Sequence, residues 1–287
     1  MRIVSLLPSA TEIVFALGLD DQLAGVTDEC DWPPPASEKR VVVRSKQPVG
    51  MSAGEIDAWV GEHAPAGGLY RLDDAAIAEI GPELVLTQDL CRVCAVPTGD
   101  VDAALERVGC PSRVVTLEPQ RLDDVIDSVV SVANAAGTPE RGFALAADLR
   151  RRLALVRDAV ANRPRVPTLV LEWLDPPYTA GHWVPDVVTA AGGMSLLGDP
   201  GGRSRATTWE EVRGTDADVV ILAPCGVQPS DAMAQASLVP PGILGETVLA
   251  VDLARPGPRL VDCVEALAAV LHPAVGLPLR PEVVLRR

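Results

Sequence analysis

The sequence predicts an α/β protein of two lobes joined by one long helix. Three observations point there. Residues 138–163 read TPERGFALAADLRRRLALVRDAVANR, and Phe143, Ala146, Leu149, Leu153, Val156 and Val160 recur at spacings of three and four, one face of a helix. On both sides of that stretch, short apolar runs alternate with amphipathic ones, the pattern of strands and helices in an α/β sheet. The two halves also echo each other: each opens with strand, Pro-bearing loop, helix and Gly, and each later has helix, strand and a Cys-bearing loop, at Cys91 and at Cys225. The expected division is an N-terminal lobe 1–137, a backbone helix 138–163 and a C-terminal lobe 164–287, the lobes facing each other. A duplicated α/β unit with no binding role would give the same echo.

Each element follows from local chemistry. Residues 2–7 are a buried-strand pattern that Pro8 ends, and Ser9-Ala10-Thr11-Glu12 reads as a capping box opening a helix that runs to Gly18. Leu23 to Thr27 is a second strand, leading into Asp28-Glu29-Cys30-Asp31-Trp32 and three prolines. Residues 36–54 read as polar and irregular. Short helices are expected from Gly54 to Glu62 and from Leu72 to Ile80, then a strand over Glu83 to Thr87. A helix from Val101, a strand over Arg113 to Leu117 and an amphipathic helix over Leu122 to Ala136 complete the first half. In the long helix, Thr138 is placed as N-cap, Pro139 as first residue and Glu140 in the first turn, where negative charge is favoured. Its length would be roughly 36 Å. The second half has strands over Thr168 to Glu172, Val219 to Ala223 and Val248 to Val251. Helices are expected over Pro185 to Ala191, from Thr208, and over Val261 to Leu271.

Composition narrows the function classes. The net charge is −14 and the isoelectric point near 4.6, which argues against nucleic acid or an anionic membrane surface as partner. There is no run of about 18 uninterrupted apolar residues to span a membrane. The first apolar run breaks at Pro8-Ser9 and includes Glu12, so no signal peptide or lipid anchor is read. A cytoplasmic, monomeric protein with mostly reduced cysteines is expected.

Three stretches carry candidate chemistry. Residues 173–183 hold Trp173, Tyr178, His182 and Trp183, in a chain only 3% aromatic. They follow a strand, so they belong at the sheet edge where ligands bind in open α/β sheets, and such side chains stack on flat apolar ligands. The alternative is Trp173 in the core and His182 merely exposed. Cys91-Arg92-Val93-Cys94 is a C-x-x-C that suits a redox pair, half a metal site, a thiol-lined cleft or buried structural thiols; no second pair stands at metal-ligand spacing. Asp28, Glu29 and Asp31 around Cys30 offer hydrogen-bond acceptors or form a solvated acidic turn. Gly201-Gly202-Arg203-Ser204-Arg205 suits an anionic group or a surface loop, and matches no phosphate-binding motif. No nucleophilic triad signature is visible, and no catalytic residue or catalytic cofactor is expected.

RIVSLLPSATEIVFALG, LAGVTDECDWPP, PELVLTQDLC, the long helix and PPYTAGHWVPDVVTAAGG together resemble the class III substrate-binding proteins. More closely, they resemble the cobalamin-binding branch of the iron-siderophore/cobalamin group. The resemblance spans about residues 2–272. It implies the helical-backbone metal-receptor architecture, with a ligand clamped between the lobes and delivered to an ABC importer. Carried over by position, it implies ligand contacts from Glu29 and Cys30, from the Gln88 to Cys94 loop with Gln88, Asp89, Leu90 and Cys91, from Tyr178, His182 and Trp183, and from the region around Trp209; Ser9, Arg203 and Cys225 are further candidate contacts read from the residues themselves. Glu29 falls where the periplasmic cobalamin binder has an aromatic, and the C-x-x-C loop departs from the periplasmic pattern.

The resulting expectation is a non-enzymatic binder of cobalamin or a related corrinoid, acting as an importer's binding protein or as a cytoplasmic carrier or sensor that serves a corrinoid enzyme. His182 and Cys91 are the axial candidates for the cobalt. Haem, a ferric siderophore or a bare metal on the same fold is a second reading, with little basic charge to favour siderophores. Thiol-redox or metal chemistry at Cys91/Cys94 is a third, and a scaffold a fourth.

Overall fold

The computed structural model describes residues 1–64, 68–90, 96–245 and 247–286. The chain forms two compact units: Met1–Glu118 with Ile126–Ala147, and Pro119–Val125 with Asp148–Arg287. Each is a sheet with helices, the predicted fold class.

The first unit contains β1 (Ile3–Ser5), α1 (Pro8–Ala16), β2 (Leu23–Thr27), β3 (Val41–Ser45), α2 (Ala53–His63), β4 (Tyr70–Leu72), α3 (Asp74–Ile80), β5 (Leu84–Thr87), α4 (Thr98–Arg107) and β6 (Arg113–Thr116). The sheet order is β4-β3-β2-β1-β5-β6, parallel except for β4. Val4, Val43 and Val85 on the strands, with Leu6 just past β1, pack against Ile77, Val101 and Leu105 on the helices. β1 lies between β2 and β5, so the chain leaves it to opposite sides. In open α/β sheets, ligands bind outside the carboxyl ends of the strands at such a reversal.

Two local readings are corrected here. Ser9 and Glu12 form no capping box: α1 starts at Pro8, Leu7 is its N-cap, and Ser9 and Glu12 are buried within the helix. Pro8 already has the φ a first helical residue needs and lacks the donor that a cap would satisfy. The capping box present is at α2, where Ser52 N donates to Glu55 Oε2 at 2.7 Å and Glu55 N to Ser52 Oγ at 3.4 Å. Residues 36–54 are not all irregular, because β3 occupies Val41–Ser45; Val42 and Val43 are buried while the flanking Arg40 and Arg44 keep the segment polar on average.

α5 (Leu122–Ala135) and α6 (Pro139–Val160) follow, and the division between the units falls inside α6 after Ala147. The buried face of α6 carries Gly142, Ala146, Leu149, Val156 and Val160, whereas Phe143, expected inside, is 59% exposed. Gly142 takes its place because α5 approaches closely there. A Cβ added at Gly142 would overlap the Ala133 methyl and lie 3.3 Å from Val130 Cα. Helix propensity alone favours alanine over glycine by about 0.5–1 kcal/mol. Overpacking against backbone costs about 1–3 kcal/mol, so it wins. Gly142→Ala is therefore expected to lower the thermal midpoint by a few degrees, measured by circular dichroism.

The second unit contains β7 (Val166–Leu174), β8 (Pro177–Thr179), α7 (Val184–Ala190), β9 (Gly193–Leu196), α8 (Trp209–Arg213), β10 (Val219–Leu222), α9 (Pro229–Ala234), β11 (Thr247–Val251), α10 (Arg259–Leu271) and β12 (Val284–Arg286). The order is β12-β11-β10-β7, and the other edge of β7 is shared, β9 pairing with its first half in parallel and β8 with its second half antiparallel. β10 reaches only Leu171 of β7 in register, so Glu172, Trp173 and Leu174 run past it at the carboxyl edge. β9 and β10 flank β7 on opposite sides, which again puts a topological reversal at this edge.

Candidate functional site

The carboxyl edge of the second sheet brings together the most complete group of candidate residues. The stretch expected to be an aromatic loop is a hairpin: β7 continues to Leu174, turns, and returns as β8. A third segment then lies along it. Thr179 N donates to Arg205 O at 2.9 Å, Thr207 N donates to Pro177 O at 2.8 Å, and Tyr178 bridges to Ala206. Residues 205–207 thus form a short outer strand along β8 through one bridge, while Gly201 and Gly202 turn back onto His182.

Glu172 sits at the centre of this arrangement. Its carboxylate accepts from Gly181 N at 3.1 Å and from the Ser204 hydroxyl in a short bond, while its carbonyl accepts from Cys225 N at 3.3 Å. One strand-end residue therefore ties together the hairpin, the segment entering the outer strand and the loop after β10. Sequence reading missed Glu172 and Ser204 as site residues. The available signal was a charged residue closing the apolar run Thr168 to Leu171.

His182 follows immediately. Its φ is +49°, a left-handed conformation that costs a non-glycine residue about 1–3 kcal/mol and persists only when the surroundings impose it. They do: His182 N donates to Gly202 O at 2.6 Å and its carbonyl accepts from Gly201 N at 2.9 Å. The imidazole is partly buried, and burial first, then the positive Arg203, lowers its pKa, so the ring is neutral at neutral pH. Its Nε2 is buried and has no hydrogen-bond partner among the described residues. A neutral imidazole is the form that binds metals.

The remaining candidates of this unit take varied positions. Trp183 turns inward: it is 6% exposed, and its indole N–H donates to Leu253 O at 2.8 Å. Its ring packs within the second unit and its N–H is already engaged. Trp173 donates its indole N–H to Asp175 O at 3.1 Å and is partly exposed. Tyr178 is also partly exposed. Trp209 begins α8 and packs partly buried against the core. Arg203 and Cys225 are exposed. Arg205 pairs with Glu211 at 2.6 Å, and that ion pair with the Thr207 hydroxyl holds the Glu211 carboxyl down to about 2. The outer strand is thereby tied to α8.

In the first unit, the corresponding edge is occupied by a buried polar chain. Thr11 Oγ1 donates to Ser5 Oγ at 2.9 Å, and Cys30 Sγ lies 3.1 Å from Thr11 Oγ1 and 3.4 Å from Thr27 Oγ1. Ser9 and Cys30 are each 3% exposed, so both belong to the packed interior of this edge. Glu29 is partly exposed, its N–H capped by Thr27 Oγ1. Asp89 accepts from Thr98 N at 2.7 Å, holding the start of α4. Gln88 is 4% exposed, and its Oε1 is buried with no partner among the described residues. Leu90 is partly exposed, and the Cys91/Cys94 pair lies outside the described residues.

Among the described residues, no three His, Cys, Asp or Glu side chains converge on a bare metal ion, and no helix is long and apolar enough to cross a membrane.

Comparison with known proteins places this geometry. The model of a periplasmic binding protein family matches residues 3–239. The vitamin B12-binding protein of Vibrio cholerae is 25% identical over 94% of this chain and 88% of its own. The cobalamin-binding protein of Halobacterium salinarum is 26% identical over 94% of this chain and 69% of its own. Among solved structures, a periplasmic heme-binding protein from Pseudomonas aeruginosa superposes with a TM-score of 0.74 at 21% identity, covering 99% of this chain and 97% of the other. The periplasmic vitamin B12-binding protein of Vibrio cholerae superposes with a TM-score of 0.64 at 24% identity, covering 94% and 96%. These likenesses establish the fold and a family of binding proteins. They also overturn the cytoplasmic location expected from the opening residues, because the matched family and these solved relatives are periplasmic. The chain belongs to the periplasmic binding protein family.

Proposed function

We propose that this protein is a substrate-binding protein for cobalamin or a related corrinoid, which it hands to an ABC importer. The observation that carries this reading is the sequence likeness to a vitamin B12-binding and a cobalamin-binding protein over 94% of the chain, from two distant organisms. The hairpin edge fits it chemically. A corrinoid presents a broad apolar face fringed with amides, which calls for a rigid aromatic surface with polar groups around it. Tyr178 and Trp173 provide the first. Arg203 is a candidate for the second, and His182 is the axial candidate among the described residues.

Haem is the second reading. It is favoured by the heme-binding structural neighbours and by the same neutral His182, since an imidazole ligates iron as well as cobalt. Titration with hydroxocobalamin, cyanocobalamin and hemin, followed by absorbance and calorimetry, decides between them. Saturable one-to-one binding of both cobalamins is expected, with a band shift for hydroxocobalamin, whose axial water exchanges. Saturation by hemin with no binding of either cobalamin would replace the corrinoid reading with the haem reading.

A further inference from the structure

We propose that Glu172 is the positioning residue of this site: its carboxylate fixes the backbone that presents the His182 imidazole to a metal-centred macrocycle. The inference rests on the functional reading above, and its structural half can be tested without it.

The argument runs through the backbone. His182 is in a left-handed conformation, so the peptides on both sides of it must be held. The turn at Gly201 and Gly202 holds both flanking peptides: on the amino side the His182 N–H donates to Gly202 O at 2.6 Å, and on the carboxyl side its C=O accepts from Gly201 N at 2.9 Å. One peptide further back, the Gly181 N–H donates to the Glu172 carboxylate at 3.1 Å, which anchors the residue on which His182 turns. The same carboxylate takes the Ser204 hydroxyl, two residues beyond Gly202. Glu172 therefore bonds both sides of the clasp that imposes the His182 conformation. A charged acceptor makes bonds about twice as strong as a neutral one, which suits a group that must oppose backbone strain. Packing enforces the same register, because at Gly181 the two backbones approach so closely that a Cβ would collide with Ser204 N and Arg203 C.

The imidazole this clasp presents has a second feature that points to a ligand. Its buried Nε2 lacks a partner among the described residues, although buried polar groups are normally bonded. A metal centre or a donor on the ligand would complete it. The ligand class is a flat macrocycle whose metal has an exchangeable axial position.

The test compares Glu172→Ala, Glu172→Gln and His182→Ala, singly and as Glu172→Ala/His182→Ala, in the full chain. Two readouts are needed. The first is the His182 ring resonance in a proton–carbon NMR spectrum at one fixed pH, assigned by its loss in His182→Ala. The second is the affinity for hydroxocobalamin and for hemin. Glu172→Ala is expected to move the His182 resonance and to weaken binding about 10- to 100-fold, the usual effect of losing a residue that orients a ligand. Glu172→Gln, which keeps one carbonyl acceptor, should recover part of both. The double variant should bind no worse than His182→Ala alone, because Glu172 acts through His182. An unmoved resonance in folded Glu172→Ala, or losses that simply add in the double variant, would overturn the proposal. If Glu172→Ala does not fold, Ser204→Ala removes one arm of the clasp and must shift the resonance in the same direction. If wild type binds neither ligand, the functional reading fails, while the resonance still decides whether Glu172 positions His182.

Discussion

Gly181→Ala is expected to weaken hydroxocobalamin binding at least tenfold and to cost about 2–3 kcal/mol of stability, at the upper end of overpacking effects. The reason is the identity of the atoms in the way. A Cβ at Gly181 meets Ser204 N, Arg203 C and Gly202 O, all backbone. A flexible side chain can rotate aside, but these atoms move only if the outer strand separates from the hairpin. Separation would break the pairing of Thr179 with Arg205 and the Glu172 bonds to Gly181 and Ser204. It would also release His182 from Gly201 and Gly202. Gly226→Ala is the control. Gly226 has φ +73° with nothing within 4 Å of an added Cβ, so alanine there brings backbone strain alone, about 1 kcal/mol. Binding and thermal midpoints measured on both variants should separate sharply. Equal, small effects would mean that the outer strand is free to shift and does not shape the site.

The sequence made the fold legible where information is local. The long helix was readable from spacing to within a few residues at each end, 138–163 against Pro139–Val160. Its buried face was displaced by one residue, because only the approach of α5 shows that Gly142 and not Phe143 faces inward. The central strands were also readable, but β7 runs two residues past its expected end at Glu172, and β3, β4, β8, β9 and β12 were not foreseen. What joins residues at the carboxyl edge was not readable. Glu172 meets Gly181 across nine residues and Ser204 across 32, and Trp183 spends its N–H on Leu253, 70 residues on. An aromatic in a loop looks the same whether it faces ligand or core until its partner is known. The Ser9–Glu12 motif failed for a related reason. A capping box is a statement about where a helix begins, and Pro8 moved that beginning by two residues, the N-cap falling on Leu7 rather than Ser9.

The second large effect lies in the frame that carries the site. Arg152 of α6 is the centre of an ion network. It donates through Nε to Glu265 Oε1 at 2.8 Å, and through Nη2 to Glu265 Oε2 at 2.7 Å and Asp262 Oδ1 at 2.5 Å. Arg280 joins at Glu265 Oε2, 2.6 Å away. The network ties α6 to α10 and to the chain leading into β12. The hydrogen bonds to Glu265 hold the Arg152 pKa above its ordinary value. Burial pushes the Glu265 carboxyl up, but its bonds from Arg152 and Arg280 outweigh that, and its pKa is lowered. Breaking a fully buried pair from one side costs about 3–5 kcal/mol. Asp262 and Arg280 here are about one-third exposed, so solvent screens part of that cost. Arg152→Met, which keeps the aliphatic bulk and leaves two carboxylates facing one arginine, is expected to cost about 2–3 kcal/mol at pH 7. A depressed carboxylate pKa contributes stability that is present above the unfolded value and lost as pH falls through the folded one. The gap between wild type and Arg152→Met should therefore be widest at neutral pH and narrow below about pH 4.5, as Glu265 takes up its proton and its charge no longer faces Arg152. Urea unfolding at pH 7 and at pH 3.5 measures it. A gap that stays constant across that range would assign the loss to packing of the arginine stem rather than to its charge.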